Sequence, residues 1–221
     1  MASRSWRVPV SVSALLILAL GSAGAANLVQ DPGFELSPAV GTFNSVWNLS
    51  STNWNCTIEL GQGSSCFGDP SQTASLYVHS GNWGTFLGDD TPGESSMYQT
   101  FALGPGSYAF SFYWRYHYTY AGGANSGELD AYIGAAPGGT PGWAAGDETV
   151  ISASPTTTID WAQVVIPYAV STSGTYYIGF EWYDVPGEFA IDDVSLDAPE
   201  PSTLALLAVP LAWFCLLRRK R

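Results

Sequence analysis

The sequence predicts an all-β protein, built as an antiparallel β-sandwich. Between residues 27 and 198, segments of alternating apolar and polar residues recur, separated by Gly, Pro, Asn and Asp. This pattern is typical of half-buried strands joined by turns. The composition agrees, because Gly, Ser, Thr and aromatic residues are abundant whereas Lys and Met are scarce, the opposite of the mix that favours helices. A region of about 172 residues is long enough for one sizeable core.

Each strand is predicted from its own alternation. The predicted strands cover residues 75–79, 97–103, 107–120, 128–133, 160–170, 174–183 and 189–196. In the longest, 107–120, the even positions Tyr108, Phe110, Phe112 and Trp114 are expected to face the core. Residues 135–146 are rich in Gly, Pro and Ala and are predicted to form a loop.

Residues 1–26 have the organisation of a secretory signal peptide. Arg4 and Arg7 precede an apolar stretch at 8–20, and small residues follow at 21–26. Cleavage after Ala26 is preferred over cleavage after Ala25, and it makes Asn27 the first residue of the exported domain.

The last 23 residues form three consecutive parts. The motif Pro199-Glu200-Pro201 precedes an apolar run at 202–217, and Arg218-Arg219-Lys220-Arg221 follows. As a helix the run would span roughly 24 Å, somewhat less than a hydrocarbon core of ~30 Å. The basic end favours the cytoplasmic side, so the domain before it is expected outside. The alternative, a buried C-terminal helix of the domain, is disfavoured because the run lacks a polar stripe.

This tripartite tail resembles the PEP-CTERM sorting signal of Gram-negative bacteria. The resemblance covers about 23 residues. It implies that secretion machinery exports the protein and that an exosortase recognises the tail. It also implies an inner-membrane anchor that holds the domain in the periplasm, then processing near the Pro-Glu-Pro motif and release to the cell surface or the extracellular matrix. An association with exopolysaccharide or biofilm is implied as well.

Charge and cysteine content restrict the function further. Residues 27–198 contain one arginine, no lysine and 18 acidic residues, a net charge of −17. Nucleic acid is therefore excluded as a partner. Cys56 and Cys66 are expected to form a disulfide in an exported domain, adding roughly 2–3 kcal/mol. The alternative, a metal-binding cysteine pair, lacks a nearby histidine.

Three short phrases resemble the galactose-binding-like jelly rolls, which include many carbohydrate-binding modules. They are residues 27–35, 103–112 and 191–196. The resemblance implies a structural Ca²⁺ bound by Glu35 and Asp192, with Asp193 as a further ligand, because hard oxygen ligands suit calcium. The alternative is that Asp192-Asp193 ends a strand and Glu35 caps a turn.

Polar and aromatic residues on the outward sides of two strands form a candidate glycan site, because aromatic rings stack on sugars while polar groups bind hydroxyls. The candidates are Tyr113, Arg115 and His117 on one strand and Tyr177, Glu181 and Tyr183 on the other. The alternative for Arg115 is an internal salt bridge with Glu181 or Asp130. Three tryptophans, Trp47, Trp54 and Trp83, lie in loop-like sequence, and at least two are expected to fill the core.

These features predict a non-catalytic, exported surface or matrix protein. One alternative is a carbohydrate-binding module with a defined glycan site. Another is a secreted glycoside hydrolase, which needs two carboxylates at a set separation. No nucleophile elbow, phosphate-binding loop or zinc-ligand spacing is present, so an enzyme is not expected.

Overall fold

A computed structural model describes residues 26–35, 54–57, 77–82, 84–85, 87–89, 95–117, 127–153, 155 and 157–198. Within these ranges the chain forms eight strands: β1 (Asn55–Thr57), β2 (Leu87–Asp89), β3 (Ser95–Leu103), β4 (Gly106–His117), β5 (Glu128–Ala135), β6 (Glu148–Ala153), β7 (Ile159–Val170) and β8 (Gly174–Asp197). All of their pairings are antiparallel, as the sequence predicts. The strands belong to a compact unit that spans Asn27–Pro199.

Strand β8 is the central element because it takes part in two sheets. Its C-terminal half pairs with β2 and β4, and β7 extends that sheet beyond β4. Its N-terminal half pairs with β3 and β5, and β1 and β6 extend this second sheet. We call these sheet A (β7-β4-β8-β2) and sheet B (β1-β3-β8-β5-β6). The two strands predicted at 174–183 and 189–196 are thus one continuous strand.

The inward faces of the two sheets pack into one aromatic core. The rings of Phe110 and Phe112 in sheet A lie 5.6 and 4.8 Å from the ring of Phe180 in sheet B. All three side chains are fully buried, which stabilises the fold by about 1.5–3 kcal/mol for each. The predicted orientation of β4 is confirmed at Phe110, Phe112 and Trp114, and it extends to Tyr116.

Two differences from the predicted strands have simple causes. Residues 77–79 of the predicted strand 75–79 are not extended but belong to a loop that lies over sheet A. Strands β1, β2 and β6 were not predicted. The first two have only three residues each, and β6 places Val150 and Ile151 side by side instead of alternating apolar with polar residues.

The first described residues are tied into the sandwich by polar side chains. The amide of Asn27 donates to the carbonyl of Val194, and its oxygen accepts from the backbone N–H groups of Val29 and Leu196. The buried amide of Gln99 bonds both the N–H and the carbonyl of Gln30. The described segment that begins at Asn27 is therefore fixed to both sheets.

Both predicted targeting segments fall almost wholly outside the described residues. These are the signal peptide at 1–26, the Pro-Glu-Pro motif, the apolar run at 202–217 and the basic end at 218–221. Within the described ranges, no helix has the length and apolar character to cross a membrane.

Candidate functional site

The six predicted ligand residues do not form one site. In the antiparallel register, Tyr113, Arg115 and His117 of β4 lie opposite Asp192, Ala190 and Glu188 of β8, on the outer face of sheet A. Tyr177 and Glu181 lie opposite Thr100 and Ser96 on the outer face of sheet B. The side chain of Tyr183 is outside the described set. Because the inner faces pack together, these two outer faces lie on opposite sides of the sandwich.

Two irregularities in sheet A converge on Tyr113. In β8 an extra residue lies between the partners of Ser111 and Tyr113, and Asp193 there has a φ of 51°, which Asp tolerates better than most residues. In β7 an extra residue lies between the partners of Trp114 and Tyr116. Such bulges redirect side chains, and here they bring Asp193 and Trp161 to the same part of the outer face.

His79 occupies the centre of this outer face, although the sequence analysis did not select it. Its ring stacks on Tyr113 at 3.7 Å with an interplanar angle of 14°, and it meets the edge of Trp161 at 5.4 Å. Its Nδ1 lies 2.6 Å from Asp193 Oδ2, and its backbone N–H donates to Asp192. The imidazole is therefore held from three directions. We call this surface face A, defined by His79, Tyr113, Arg115, His117, Trp161 and Glu188.

The predicted residues of face A have acidic partners. Arg115 Nε lies 4.0 Å from Asp160 Oδ1. His117 Nδ1 lies 3.4 Å from Glu188 Oε2, and the hydroxyl of Tyr77 donates to the same carboxylate. The predicted salt bridge of Arg115 with Glu181 or Asp130 is wrong, because both of these carboxylates lie in sheet B.

Face A is electrostatically unusual for this domain. The only arginine and both histidines between residues 27 and 198 lie on it. Each has an acidic neighbour, giving the pairs His79–Asp193, Arg115–Asp160 and His117–Glu188. In a domain with a net charge of −17, this surface therefore combines the few basic side chains with acidic ones.

The three predicted calcium ligands are brought into one region, around the loop at 79–82. Asp192 is fully buried and accepts backbone N–H groups from His79, Ser80 and Asp193. Burial raises the pKa of this carboxyl group to about 6, against the lowering effect of those hydrogen bonds. The alternative that Asp192 and Asp193 end a strand is wrong, because β8 continues to Asp197.

Glu35 contacts the same loop. Its Oε1 accepts the backbone N–H of Asn82 at 2.6 Å. Gly81 has a φ of 72°, and a Cβ there would overlap the Glu35 carboxylate. A glycine is thus required for the loop to approach the carboxylate this closely.

These carboxylates hold the loop that carries His79. Among the described residues, no three Asp, Glu, His or Cys side chains are grouped to hold a metal ion, and the oxygens of Glu35, Asp192 and Asp193 accept protein hydrogen bonds. The three carboxylates are thus engaged by the protein itself, and calcium binding stays a prediction.

The outer face of sheet B is organised around Trp143, which the sequence analysis also missed. The indole packs against Tyr132 and Tyr177 at centroid distances of 5.1 and 5.4 Å, and against Tyr98 at 6.2 Å. Tyr177 is fully buried. Its ring therefore cannot stack on a sugar, which corrects its predicted role.

Acidic side chains lie beside this aromatic group. Asp130 and Glu181 face each other in the register of β5 and β8. Burial, together with the charges of Glu128, Glu148 and Glu181, raises the pKa of Asp130 to about 7. We call this surface face B, defined by Tyr98, Asp130, Tyr132, Trp143, Tyr177 and Glu181.

Other predicted residues have clear outcomes or fall outside the described ranges. Cys56 is disulfide-bonded, whereas its predicted partner, Cys66, is not among the described residues. Trp54 fills the core, with its ring 5.4 Å from Phe34. Trp47 and Trp83 are likewise outside the description.

Comparison with known proteins identifies the fold. No family model and no curated protein matches the chain. The carbohydrate-binding module TmCBM61, solved in complex with β-1,4-galactotriose, has a TM-score of 0.52 and 16% identity, covering 79% of this chain and 100% of that one. The K3 cleaved adhesin domain of Lys-gingipain from Porphyromonas gingivalis has a TM-score of 0.46 and 16% identity, covering 79% and 100%. A xylan-binding domain of family CBM22 has a TM-score of 0.45 and 14% identity, covering 80% and 96%. The similarity to TmCBM61 shows that this chain has the β-sandwich fold of a carbohydrate-binding module.

Proposed function

We propose that this protein is a non-catalytic carbohydrate-binding protein and that face A binds a neutral glycan. The observation that carries the proposal is the convergence of Trp161 and His79 with three acid–base pairs on one outer face. Two bulges and an ordered loop are needed to build it. Such irregularities are typical of functional surfaces rather than of plain sheet faces.

The side chains of face A can contact both the apolar C–H groups and the polar hydroxyl groups of a sugar ring. The partly exposed rings of Trp161 and His79 offer an apolar surface for the C–H face of a pyranose. The guanidinium of Arg115 can donate to a hydroxyl oxygen, and the carboxylate of Glu188 can accept from a hydroxyl group. A few convergent polar groups beside aromatic rings are the usual composition of a small-ligand site.

The charge of the domain favours a glycan without acidic groups. A uronate polymer would approach a domain of net charge −17 and be repelled. On face A each basic group already has an acidic neighbour, so little positive charge is left to attract an anion. The galactotriose in the TmCBM61 structure makes β-1,4-galactan a suitable first probe.

The proposed cellular role follows from the two ends of the chain. The protein is exported, sorted by an exosortase-type system through Pro199-Glu200-Pro201 and the basic end, and associated with exopolysaccharide or biofilm at the cell surface. Mass spectrometry of the native protein would test this part. Cleavage near the Pro-Glu-Pro motif is expected, and an intact C-terminus on protein recovered from the cytosol would contradict it.

Glycan binding is tested by affinity electrophoresis and calorimetry with β-1,4-galactan, galactomannan and xyloglucan. Trp161→Ala is expected to weaken binding at face A by at least about tenfold, since tryptophan contacts with a ligand often dominate the binding energy. The matched control is Val165→Ala, because Val165 lies on the same strand with 57% of its surface exposed and is not part of face A. The same number of sites and the same affinities in the wild type and Trp161→Ala would refute the site.

A further inference from the structure

The loop between β5 and β6 folds back over sheet B and places Trp143 directly above Gly179. A Cβ at position 179 would lie 2.7 Å from the indole Cη2 and 2.9 Å from the carbonyl of Met97. Only glycine leaves room for the indole at this point. Trp143 is therefore seated in a depression of the sheet, between Tyr98 and Tyr132.

The backbone of Trp143 is strained. Its φ of 43° is rare for a bulky residue and is energetically unfavourable. The surrounding tyrosines, two of them buried, hold the ring in place. Trp143 itself is only partly buried. Strain of this kind persists where surrounding structure fixes a side chain for a purpose, and ligand clamps are common examples.

The carboxylates of Glu181 and Asp130 lie at the next outward-facing positions of the sheet beside the indole. Glu181 is two residues from Gly179 on β8, a distance of about 7 Å along a strand, and Asp130 lies opposite Glu181 on β5. Glu128 and Glu148 are close enough to affect the charge of Asp130. The indole of Trp143 and the carboxylates of Glu181 and Asp130 are thus separated by roughly the width of one pyranose ring.

We infer that face B is a second glycan-binding site, which takes a neutral pyranose against Trp143 while its hydroxyl groups form hydrogen bonds with Glu181 and Asp130. The negative charge of face B disfavours two other kinds of ligand. A second copy of the chain would bring two sets of four carboxylates together, and a uronate polymer would meet the same repulsion. Face B has no basic residue to offset this, because Arg115, His79 and His117 all lie on face A.

Two sites on opposite sides of the sandwich make the protein a cross-linker of glycan chains. Each site alone binds one glycan chain, whereas both sites together join two glycan chains. Cross-linking rests on the proposed function of face A, but the second site does not.

The experiment counts sites and measures cross-linking separately. Calorimetry with oligosaccharides of β-1,4-galactan and galactomannan gives the number of sites for each protein chain, and turbidity of the intact polymers reports cross-linking. The wild type is expected to show two sites and to precipitate the polymer. Trp161→Ala and Trp143→Ala are each expected to keep one site and to lose precipitation. Because Trp143→Ala also removes packing over Gly179, Glu181→Gln serves as a second variant of face B that keeps the side-chain volume.

The outcomes separate the two proposals. A single wild-type site that disappears in Trp161→Ala would overturn face B and leave face A intact. A single site that survives Trp161→Ala but is weakened by Trp143→Ala and Glu181→Gln would overturn face A and support face B. A wild-type protein that binds none of the neutral glycans would overturn both.

Discussion

Replacing Asp130 with Asn tests the electrostatics of face B. Asp130 is partly buried beside Glu128, Glu148 and Glu181, and its pKa is raised from 3.8 to about 7, mainly by burial. The folded protein therefore retains a proton on this group up to about pH 7, whereas the unfolded chain loses it near pH 4. Since the folded state binds more protons, the contribution of Asp130 to stability falls as the pH rises from about 4 to about 7.

The size of the effect follows from this difference in pKa. A pKa raised from 3.8 to about 7 corresponds to about 4 kcal/mol at full coupling. Because the carboxyl group is only partly buried, solvent screening reduces this to about 2 kcal/mol. Asn has the shape of the protonated acid, so Asp130→Asn should stabilise the protein by about 2 kcal/mol above pH 7 and change little near pH 4.5. In a domain of this size, that corresponds to a rise in Tm of about 4–8 °C.

Thermal unfolding of the wild type and Asp130→Asn, followed by circular dichroism between about pH 4.5 and pH 8.5, measures the effect. Asp160→Asn is the control, because the side chain of Asp160 is 89% exposed. The expected result is a difference in Tm that grows with pH for Asp130→Asn only. A variant that is equally or less stable than the wild type at every pH would refute the reasoning.

Three further predictions concern packing and the loop that carries His79. Gln99→Leu removes the two hydrogen bonds between its buried side-chain amide and the backbone of Gln30 and should cost about 1–3 kcal/mol in chemical denaturation. The exposed Gln163→Leu is the control, and equal stability of the two variants would contradict the role of the amide. Gly179→Ala should displace Trp143 and destabilise the protein by about 1–3 kcal/mol, which an unchanged Tm and an unchanged near-ultraviolet spectrum would disprove. For the predicted calcium site, millimolar calcium is expected to raise Tm and a chelator to reverse the rise; an unchanged Tm in both cases would refute the site.

The fold could largely be predicted because β4 alternates so regularly. Phe110, Phe112 and Trp114 face the core as the two-residue period requires. The continuity of β8 could not be predicted, since Pro186 and Gly187 are typical of a turn. In the structure the strand continues through them as it passes from sheet B to sheet A.

The candidate sites could be predicted only in part. Alternation places Arg115 and His117 on an outer face correctly, but it does not show that Glu181 lies on the opposite sheet. Trp161 depends on a bulge, which alternation does not reveal. Trp143 reaches its site through a loop that folds back over the sheet, a long-range contact that local patterns do not encode. A tryptophan within a loop rich in Gly and Pro was the available signal for Trp143.

Calorimetric titration of the purified protein and of Trp161→Ala with β-1,4-galactan, galactomannan, xyloglucan and polygalacturonate tests the central claim most directly. We expect the wild type to bind at least one neutral polymer and not the anionic polygalacturonate, and we expect the site on face A to weaken by about tenfold or more without the indole of Trp161. Preferential binding of polygalacturonate, or the same number of sites with the same affinities in the two proteins, would contradict it.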